Sequence, residues 1–295
     1  MTEEDLLAEQ FERHRLHLRK VAYRMLGSVA EADDAVQEAW LRLNRSDAAQ
    51  IENLQGWLTT VVARVSLNAL RSRATRSEEP LDEIRVPDPL LSPAAHVDPE
   101  QEALLADSVG LALLVVLETL APAERLAFVL HDMFAVPFDE IAPMVDRTPT
   151  AARQLASRAR RRVQGEAPAP TDDLPRQRAV VDAFFAAARD GDFDALVAVL
   201  DPDIVLRSDG GALRPGHSQI LRGAEAVARQ ALTFARLSPY VQPILVNGAA
   251  GVLVAPNRRP YTVMGFTVAG GRIAAIDAMS DPERLRQLDL THLDV

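Results

Sequence analysis

The chain has 295 residues and a net charge of −10, with 48% hydrophobic residues, 5% aromatic residues and no cysteine. This length and hydrophobic content exclude wholesale disorder and predict two or three domains with aliphatic cores, while the lack of cysteine excludes disulfides, thiolate metal sites and cysteine nucleophiles. No apolar run is long enough to span a bilayer, and the acidic start MTEEDLLAEQF has no basic n-region, which together predict a cytoplasmic protein.

Two proline-rich segments divide the chain. Residues 77–102 combine a dense acidic set with Pro80, Pro87, Pro89, Pro93 and Pro99, and residues 164–175 read QGEAPAPTDDLP. Proline at this density ends helices and favours extended, solvated chain, so both segments are predicted to be linkers. They leave three folded units, at residues 1–76, 103–163 and 176–295.

The first unit is predicted to be helical. Apolar residues recur at helical spacing from Phe11 to Leu26, and Gly27-Ser28 ends that helix. A second helix begins around residues 31–34, and a third runs from Leu54 to about Ala74. The last part of the third helix is basic and carries no acidic residue, with Arg64, Arg71, Arg73 and Arg76.

The second unit is also predicted to be helical and contains a helix-turn-helix. Helices are expected over residues 104–120 and from Pro122 to about residue 134. Two short helices follow, at residues 138–145 and 148–163, joined by a tight turn at Asp146-Arg147. The second of these helices contains five arginines and no acidic residue, a composition suited to phosphate and base-edge contacts.

The third unit has a different pattern, in which helices come first and a sheet follows. Helices are expected at residues 178–189, 193–200 and 224–237, and strands at residues 203–207, 241–246, 251–255, 261–268 and 272–279. Asn247-Gly248 is a hairpin signal, and Asp281-Pro282 predicts a final helix over residues 281–288. The unit is therefore predicted to be α+β with an antiparallel sheet.

The sequence LAPAERLAFVLHDMFAVPFDEIAPMVDRTPTAARQLASRARRRV resembles the sigma-4 domain of bacterial extracytoplasmic-function sigma factors, members of the sigma-70 family. Its matching residues are Leu120, Pro122, Arg125, Phe138, Glu140, Ile141, Ala142, Thr148 and the cluster at residues 158–162. The resemblance implies binding to the −35 promoter element through Thr148, Thr150, Arg153, Gln154, Ser157, Arg158 and Arg161. The alternative is a solvated basic helix face.

The first unit resembles the sigma-2 domain of the same family, through VAYRMLGSVAEADDAVQEAWLRL and LQGWLTTVVARVSLNALRSRATR. The resemblance implies a surface for core RNA polymerase at Asp33, Asp34, Gln37, Glu38 and Trp40. It implies contact with the −10 element by Trp57, Arg64, Asn68, Arg71 and Arg73. Many family members have Asn where this chain has Arg64, and Asp where it has Asn68. Packing of the two tryptophans inside the domain is the alternative.

The third unit resembles a SnoaL-like domain of the nuclear-transport-factor-2-like superfamily, a cone-shaped α+β fold with a central pocket. The resemblance rests on FFAAARDGDFDALVAVLDPDIVLRSDGG, on RGAEAVARQ and on the strand series. A group of extracytoplasmic-function sigma factors carries such a domain at its C-terminus, often with DGGGK-like and NPDKL-like motifs. The corresponding residues here imply a regulatory pocket or an interdomain contact, at Asp209, Gly210, Gly211, Asp281, Pro282 and Leu285.

The overall prediction is a multidomain protein, with all-α sigma-2 and sigma-4 domains followed by an α+β SnoaL-like domain. It implies an initiation factor without an active site, cofactor or metal, whose partners are core RNA polymerase and promoter DNA. The fused domain is expected to set activity, with room for a small-molecule ligand in its pocket. The linker at residues 77–102 either threads along the polymerase channel, as in the family, or is a solvated tether.

Two other functions are open on the sequence alone. One is a pocket enzyme of the cyclase or isomerase type with a DNA-binding appendage, which would use Asp209, His217 or Asp277 for proton transfer. The other is a one-component repressor whose helix-turn-helix is controlled by a pocket ligand. His14 and His17 lie three residues apart on a helix, but the acidic residues around them favour a solvated face over a metal site.

Overall fold

The computed structural model describes residues 3–47, 50–76, 84–94, 110–166 and 172–288, together with residues 290, 291 and 293. The chain forms two compact units, one comprising residues 1–81 and 116–166 and the other residues 82–115 and 167–295. Residues 84–94 of the predicted linker thus belong to the second unit. The rest of that linker, the predicted helix start at residues 104–109 and residues 167–171 of the hinge lie outside the described residues.

The first three helices are α1 (Glu3–Leu26), α2 (Val29–Leu43) and α3 (Leu54–Arg76). Gly27 ends α1 with a φ of +66°, and its N–H donates to the carbonyl of Tyr23. Ser28 then caps α2, because its Oγ accepts from the N–H of Glu31. The predicted break is confirmed, and α2 begins two residues before the predicted start because of this cap.

The helices of the predicted second unit follow. They are α4 (Leu111–Glu118), α5 (Pro122–Phe128), α6 (Phe138–Ile141) and α7 (Pro149–Glu166). A π-helical turn, Val129–Met133, extends α5, and a 3-10 turn, Ala142–Met144, extends α6. Pro122 occupies the first turn of α5, as predicted. The boundary between the two compact units falls inside α4, after residue 115.

A buried arginine joins the helices of the first unit. Arg125 on α5 is 1% exposed, and its guanidinium donates to the carbonyl of Arg24 at 3.2 Å and to the carboxylate of Glu118 at 3.0 Å. The guanidinium of Arg24 in turn lies 4.7 Å from the ring centre of Phe134. The sigma-2-like helix α1 and helices α4 and α5 are therefore joined by a buried guanidinium.

The second unit has three longer helices, α8 (Leu174–Asp190), α9 (Phe193–Val199) and α10 (Ala224–Thr233), and one curved sheet. Its strands are β1 (Leu91–Pro93), β2 (Leu200–Asp209), β3 (Gln219–Arg222), β4 (Val241–Val246), β5 (Ala249–Val254), β6 (Thr262–Ala269) and β7 (Arg272–Met279). The order in the sheet is β1-β4-β5-β6-β7-β2-β3. A final helix, α11 (Pro282–Gln287), is capped by Asp281, as predicted.

The sheet differs from the prediction by one parallel strand pair and by two additional strands. Strand β2 runs parallel to β7, so the sheet is mixed. Strand β1 comes from the proline-rich linker, and β3 is a short edge strand after a Gly/Pro loop, so neither has a clear alternating pattern. Helix α10 also differs from the prediction, because it ends at Thr233, and a 3-10 segment that contains Pro239, Ala235–Tyr240, follows.

Helices α8, α9 and α10 cover one face of the sheet. The rings of Phe184 and Phe185 on α8 lie 6.0 Å and 5.9 Å from that of Phe266 on β6. Fully buried aliphatic side chains such as Val181, Ile276 and Val268 surround this cluster. Because aromatic residues are scarce in the chain, this grouping makes α8 the main packing element of the second unit.

Candidate functional site

Helix α7 presents the residues predicted to bind the −35 element. Ala152, Ala156 and Ala159 are buried, which fixes the opposite side of the helix toward solvent. Thr148 caps the helix through its Oγ, which accepts from the N–H of Ala151 at 3.3 Å. All the predicted side chains are exposed; we call this set the α7 surface, and it comprises Thr148, Thr150, Arg153, Gln154, Ser157, Arg158 and Arg161.

Several arginines of α7 have contacts within the first unit. Arg158 forms an ion pair with Glu124, with 2.6 Å between Nε and Oε1, and Arg160 pairs with Asp132. The guanidinium of Arg153 lies 5.3 Å from the ring centre of Phe138, which also stacks on His131. These contacts orient the arginines, since each partner lies on another helical segment of the same unit.

Four of the five residues predicted to contact the −10 element lie on one side of helix α3. Arg64, Asn68 and Arg71 follow helical spacing and are exposed, and Trp57, two turns earlier, is partly exposed. We call these four the α3 surface. Arg73 differs: its guanidinium donates to the carbonyl of Leu26 and pairs with Glu31. The structure thus gives Arg73 contacts that tie α3 to the junction of α1 and α2.

The predicted polymerase-binding residues lie on α2. Asp34 and Gln37 are exposed one helical turn apart. Asp33 pairs with Arg19 at 2.7 Å, and Glu38 pairs with Arg42 at 2.8 Å. Trp40 is partly buried, with its ring 5.0 Å from that of Phe11, so it helps to pack α2 on α1.

In the second unit, one arginine holds the linker segment. Arg284 on α11 donates to the carboxylate of Asp88 at 2.8 Å and to the carboxylate of Asp209 at 2.7 Å. It also donates to the carbonyl of Val86. The carboxylate of Asp209 also accepts a hydrogen bond from the N–H of Val86 at 3.0 Å. We call Arg284, Asp209, Val86 and Asp88 the clamp.

Strand pairing extends the clamp. Asn247 accepts the N–H of Leu90 through its side chain at 3.0 Å, and its own N–H donates to the carbonyl of Leu90 at 2.8 Å. Residues 91–93 then pair antiparallel with β4. The side chains of Val86 and Ser92 are buried. Residues 84–93 are therefore not a solvated tether, which was one of the two interpretations of the linker.

The motif residues of the second unit surround the clamp. Gly211 has a φ of +60°, and a Cβ there would lie 2.3 Å from the carboxylate of Asp281. Gly210 has equally little room, against the carbonyl of Arg214. Leu285, a residue of α11, is buried. The sequence-based prediction included Asp209 but missed Arg284, Asn247 and Asp88 as site residues. Arg284 could have been found, because it lies inside the segment that loosely matches the NPDKL-like motif.

A cavity of about 160 Å³ lies between the helices and the sheet of the second unit. Most of its wall is apolar, with Phe184, Phe185, Phe234, Leu237, Val254 and Met264. His217 lines it, whereas Asp209 and Asp277, the other candidate catalytic residues, do not. The structure thus does not bring the three candidate proton-transfer residues together.

Asp277 is buried on the sheet face opposite Ala278, which lines the cavity. Burial raises the pKa of its carboxyl to about 6, although Arg207 opposes the shift through a contact at 3.1 Å. The described residues contain no group of three or more His, Asp or Glu side chains that could hold a metal ion. His17 instead contacts the ring of Phe134, and burial lowers its pKa.

Comparison with protein families identifies both helical regions. The family model described as Sigma-70 region 2 matches residues 10–76, and that described as Sigma-70, region 4 matches residues 110–163. Among the described residues, no helix is both long and apolar enough to cross a membrane.

Two curated proteins and one crystal structure extend the likeness over nearly the whole chain. The ECF RNA polymerase sigma factor SigJ of Mycobacterium tuberculosis is 39% identical, covering 93% of this chain and 92% of SigJ. The probable ECF RNA polymerase sigma factor SigI of the same species is 34% identical, covering 98% of each. The crystal structure of SigJ matches with a TM-score of 0.75 and 35% identity, over 95% of this chain and 98% of SigJ. The predicted fold class is confirmed.

Proposed function

This chain belongs to the extracytoplasmic-function sigma factors of the sigma-70 family, and we propose how its surfaces divide the work of transcription initiation. The α7 surface binds the −35 element, the α3 surface contacts the −10 element, and the exposed part of α2 binds core RNA polymerase. The second unit regulates these activities. Because its partner polymerase and the genome share one compartment, the protein acts in the cytoplasm.

The α7 surface supports the promoter role through charge and accessibility. A helix lying in the major groove needs side chains free to reach base edges at its start, and cations that can reach phosphates along its length. Gln154 and Arg161 are exposed and follow helical spacing with Thr150 and Ser157. The acidic charge of the rest of the chain limits nonspecific DNA binding, so the polymerase supplies the additional affinity.

The clamp carries the regulatory proposal. In the family that this chain belongs to, the segment between sigma-2 and sigma-4 threads along the polymerase channel. A segment hydrogen-bonded to β4 and held by Arg284 has its backbone groups already paired. It has to leave the sheet before it can lie in a channel. The second unit therefore inhibits initiation by retaining residues 84–93, and release of the clamp activates it.

The test compares two arginines of α11 in run-off transcription by core polymerase on the promoter upstream of the gene. Arg284→Ala removes the clamp, whereas Arg286→Ala changes an exposed arginine on the same helix. We expect more transcript with the first variant and an unchanged amount with the second. Equal transcript from both variants, or less from Arg284→Ala, would contradict inhibition by the clamp.

Catalysis is not part of the proposed function. Of the three candidate side chains, only His217 lines the cavity, and general acid–base catalysis requires its groups within hydrogen-bond reach of the substrate. A polymerase-independent repressor is disfavoured, because it has no use for a region 2 domain. Tight operator binding in the absence of polymerase would revive that function.

A further inference from the structure

We propose that the cavity of the second unit binds a neutral aromatic molecule of one or two rings that carries one hydrogen-bonding group, and that this ligand strengthens the clamp. The regulatory effect of the ligand rests on the clamp proposed above, whereas the ligand class follows from the cavity alone. Its volume, about 160 Å³, is close to that of an apolar cavity of about 150 Å³ that accepts benzene in another protein.

The wall of the cavity specifies a neutral, apolar body for the ligand. Among the described residues, no Asp, Glu, Lys or Arg side chain lines the cavity. Aromatic side chains line it on two sides, with Phe184 and Phe185 from α8 and Phe234 after α10. An unpaired charge would be buried here without compensation, which is costly, whereas an aromatic ring would find favourable edge and face contacts.

Several polar side chains line the cavity, and three of them form one cluster. Ser208 and Gln219 are directly paired across β2 and β3, so their side chains share a face of the sheet. Both line the cavity, as does His217, two residues before Gln219. In the described part of the chain, the side chains of these three residues make no hydrogen bond. They offer donors and acceptors to a single hydroxyl or similar group on the ligand.

This polar cluster adjoins the clamp through short connections. Ser208 precedes Asp209, whose side chain holds both Val86 and Arg284. Asp209 also accepts the N–H of Gly211 at 3.0 Å, and Gly210 donates to Ser218, the neighbour of His217. A ligand that orders His217 and Ser208 therefore also orders the loop that positions Asp209.

On the opposite side of Asp209, its carbonyl accepts the N–H of Ser280 at 2.7 Å. Ser280 lines the cavity and donates its hydroxyl to Thr262 at 2.9 Å, and Asp281 caps the helix that carries Arg284. Both partners in the Asp209–Arg284 ion pair are thus connected to the cavity wall. Coupling between two sites is reciprocal. If the ligand strengthens the clamp by a given factor, loss of the clamp must weaken ligand binding by the same factor.

Calorimetric titration of the full chain with p-cresol, toluene and benzoate tests the ligand class. We expect p-cresol to bind, toluene to bind more weakly because it lacks the hydroxyl, and benzoate to bind at least about tenfold more weakly because its charge is unpaired. Ala231→Leu, which fills the cavity from α10, should abolish binding, and Ala226→Leu on the same helix should not. Absence of p-cresol binding, or equal binding by Ala231→Leu, would overturn the proposed ligand site.

The coupling is tested with the clamp variants. We expect Arg284→Ala to weaken p-cresol binding severalfold and Arg286→Ala to leave it unchanged. Equal affinity in both variants would overturn the coupling while leaving the ligand site intact. The regulatory proposal fails independently, because it is judged by transcription without ligand. Failure of p-cresol to bind and failure of Arg284→Ala to raise transcription are therefore distinguishable results.

Discussion

The arginines of α7 and the arginine of α11 have different surroundings. On the α7 surface, Arg161 is exposed, and Arg158 forms an ion pair with Glu124. Arg284 is mostly buried and meets two carboxylates and a carbonyl of the second unit. Arg125 is more extreme, since it is 1% exposed and bonded to Glu118 and to a carbonyl.

This difference separates arginines that can bind a partner from arginines that hold the fold. A guanidinium with several internal acceptors has few donors left for phosphate, whereas an exposed guanidinium keeps its fork of donors available. In a chain whose basic residues are almost all arginine, the type of residue alone does not identify the DNA-binding surface. Substitution of arginines from the two groups should therefore affect different properties.

The largest effect is expected from Arg125→Leu. Removing this guanidinium leaves Glu118 and the carbonyl of Arg24 without their partner, so the first unit should lose about 3–5 kcal/mol of stability. Both tryptophans, Trp40 and Trp57, lie in that unit, so fluorescence during urea unfolding reports on it selectively. Arg161→Leu is the exposed control, with an expected change within about 0.5 kcal/mol. Similar losses in the two variants would contradict the distinction.

The next effect concerns the clamp. In Arg284→Ala, the backbone amides of Val86 and Leu90 should exchange with solvent at least about tenfold faster, because the linker segment opens locally. Hydrogen exchange measured by mass spectrometry on the full chain covers this segment. Arg286→Ala is the matched control and should retain native protection. Unchanged exchange in Arg284→Ala would mean that strand pairing alone holds the segment.

A smaller effect is expected from the buried pair of Asp277 and Arg207. The pKa of Asp277 is raised to about 6 in the folded chain, whereas the pKa of an aspartate in an unfolded chain is about 3.9. At pH values between these two pKa values, the folded chain holds more protons on Asp277 than the unfolded chain does. The contribution of Asp277 to stability therefore falls as the pH rises toward 6. Between pH 5 and 7 the loss should be about 1 kcal/mol.

Asp277→Asn removes this titration and serves as the reference. The stability of the wild type minus that of Asp277→Asn should fall by about 1 kcal/mol from pH 5 to 7, as followed by exchange of amides in β7. A wild type that gains stability relative to the variant over this range would mean that the pairing with Arg207 dominates over burial.

The smallest effect is expected at the α7 surface. We expect Arg161 to contact a phosphate, so Arg161→Ala should weaken promoter binding by the holoenzyme roughly equally on all sequences and reduce the slope of binding against salt by about 1. Gln154→Ala should instead alter the preference among −35 sequences, because a base contact specifies sequence. Fluorescence anisotropy at several salt concentrations separates the two. An unchanged slope in Arg161→Ala would remove it from the interface.

Much of this architecture was predictable because its signals are local. The helix stop at Gly27, the proline at the start of α5 and the cap at Asp281 each act within a few residues. The hairpin at Asn247-Gly248 is likewise local, with φ values of +50° and +78°. The α7 surface follows from helical spacing once the buried alanines are recognised.

The clamp was not predictable in this way, because its partners are far apart in sequence. Arg284 and Asp88 are separated by 196 residues, and nothing in the local pattern around either residue indicates the other. The prolines of residues 84–93 correctly predicted the lack of a helix there. They did not reveal that this extended chain lies on a sheet, since an edge strand tolerates proline.

The position of β1 at the margin of the sheet has a consequence for the released state. A proline-containing strand is a suitable border, because Pro93 has no N–H to offer a neighbouring chain. When residues 84–93 leave, the backbone of β4 loses this border and exposes a row of unpaired donors and acceptors beside buried Leu245 and Val246. The opened protein should then be prone to self-association through strand addition. The linker segment therefore also protects the protein's solubility while it is retained.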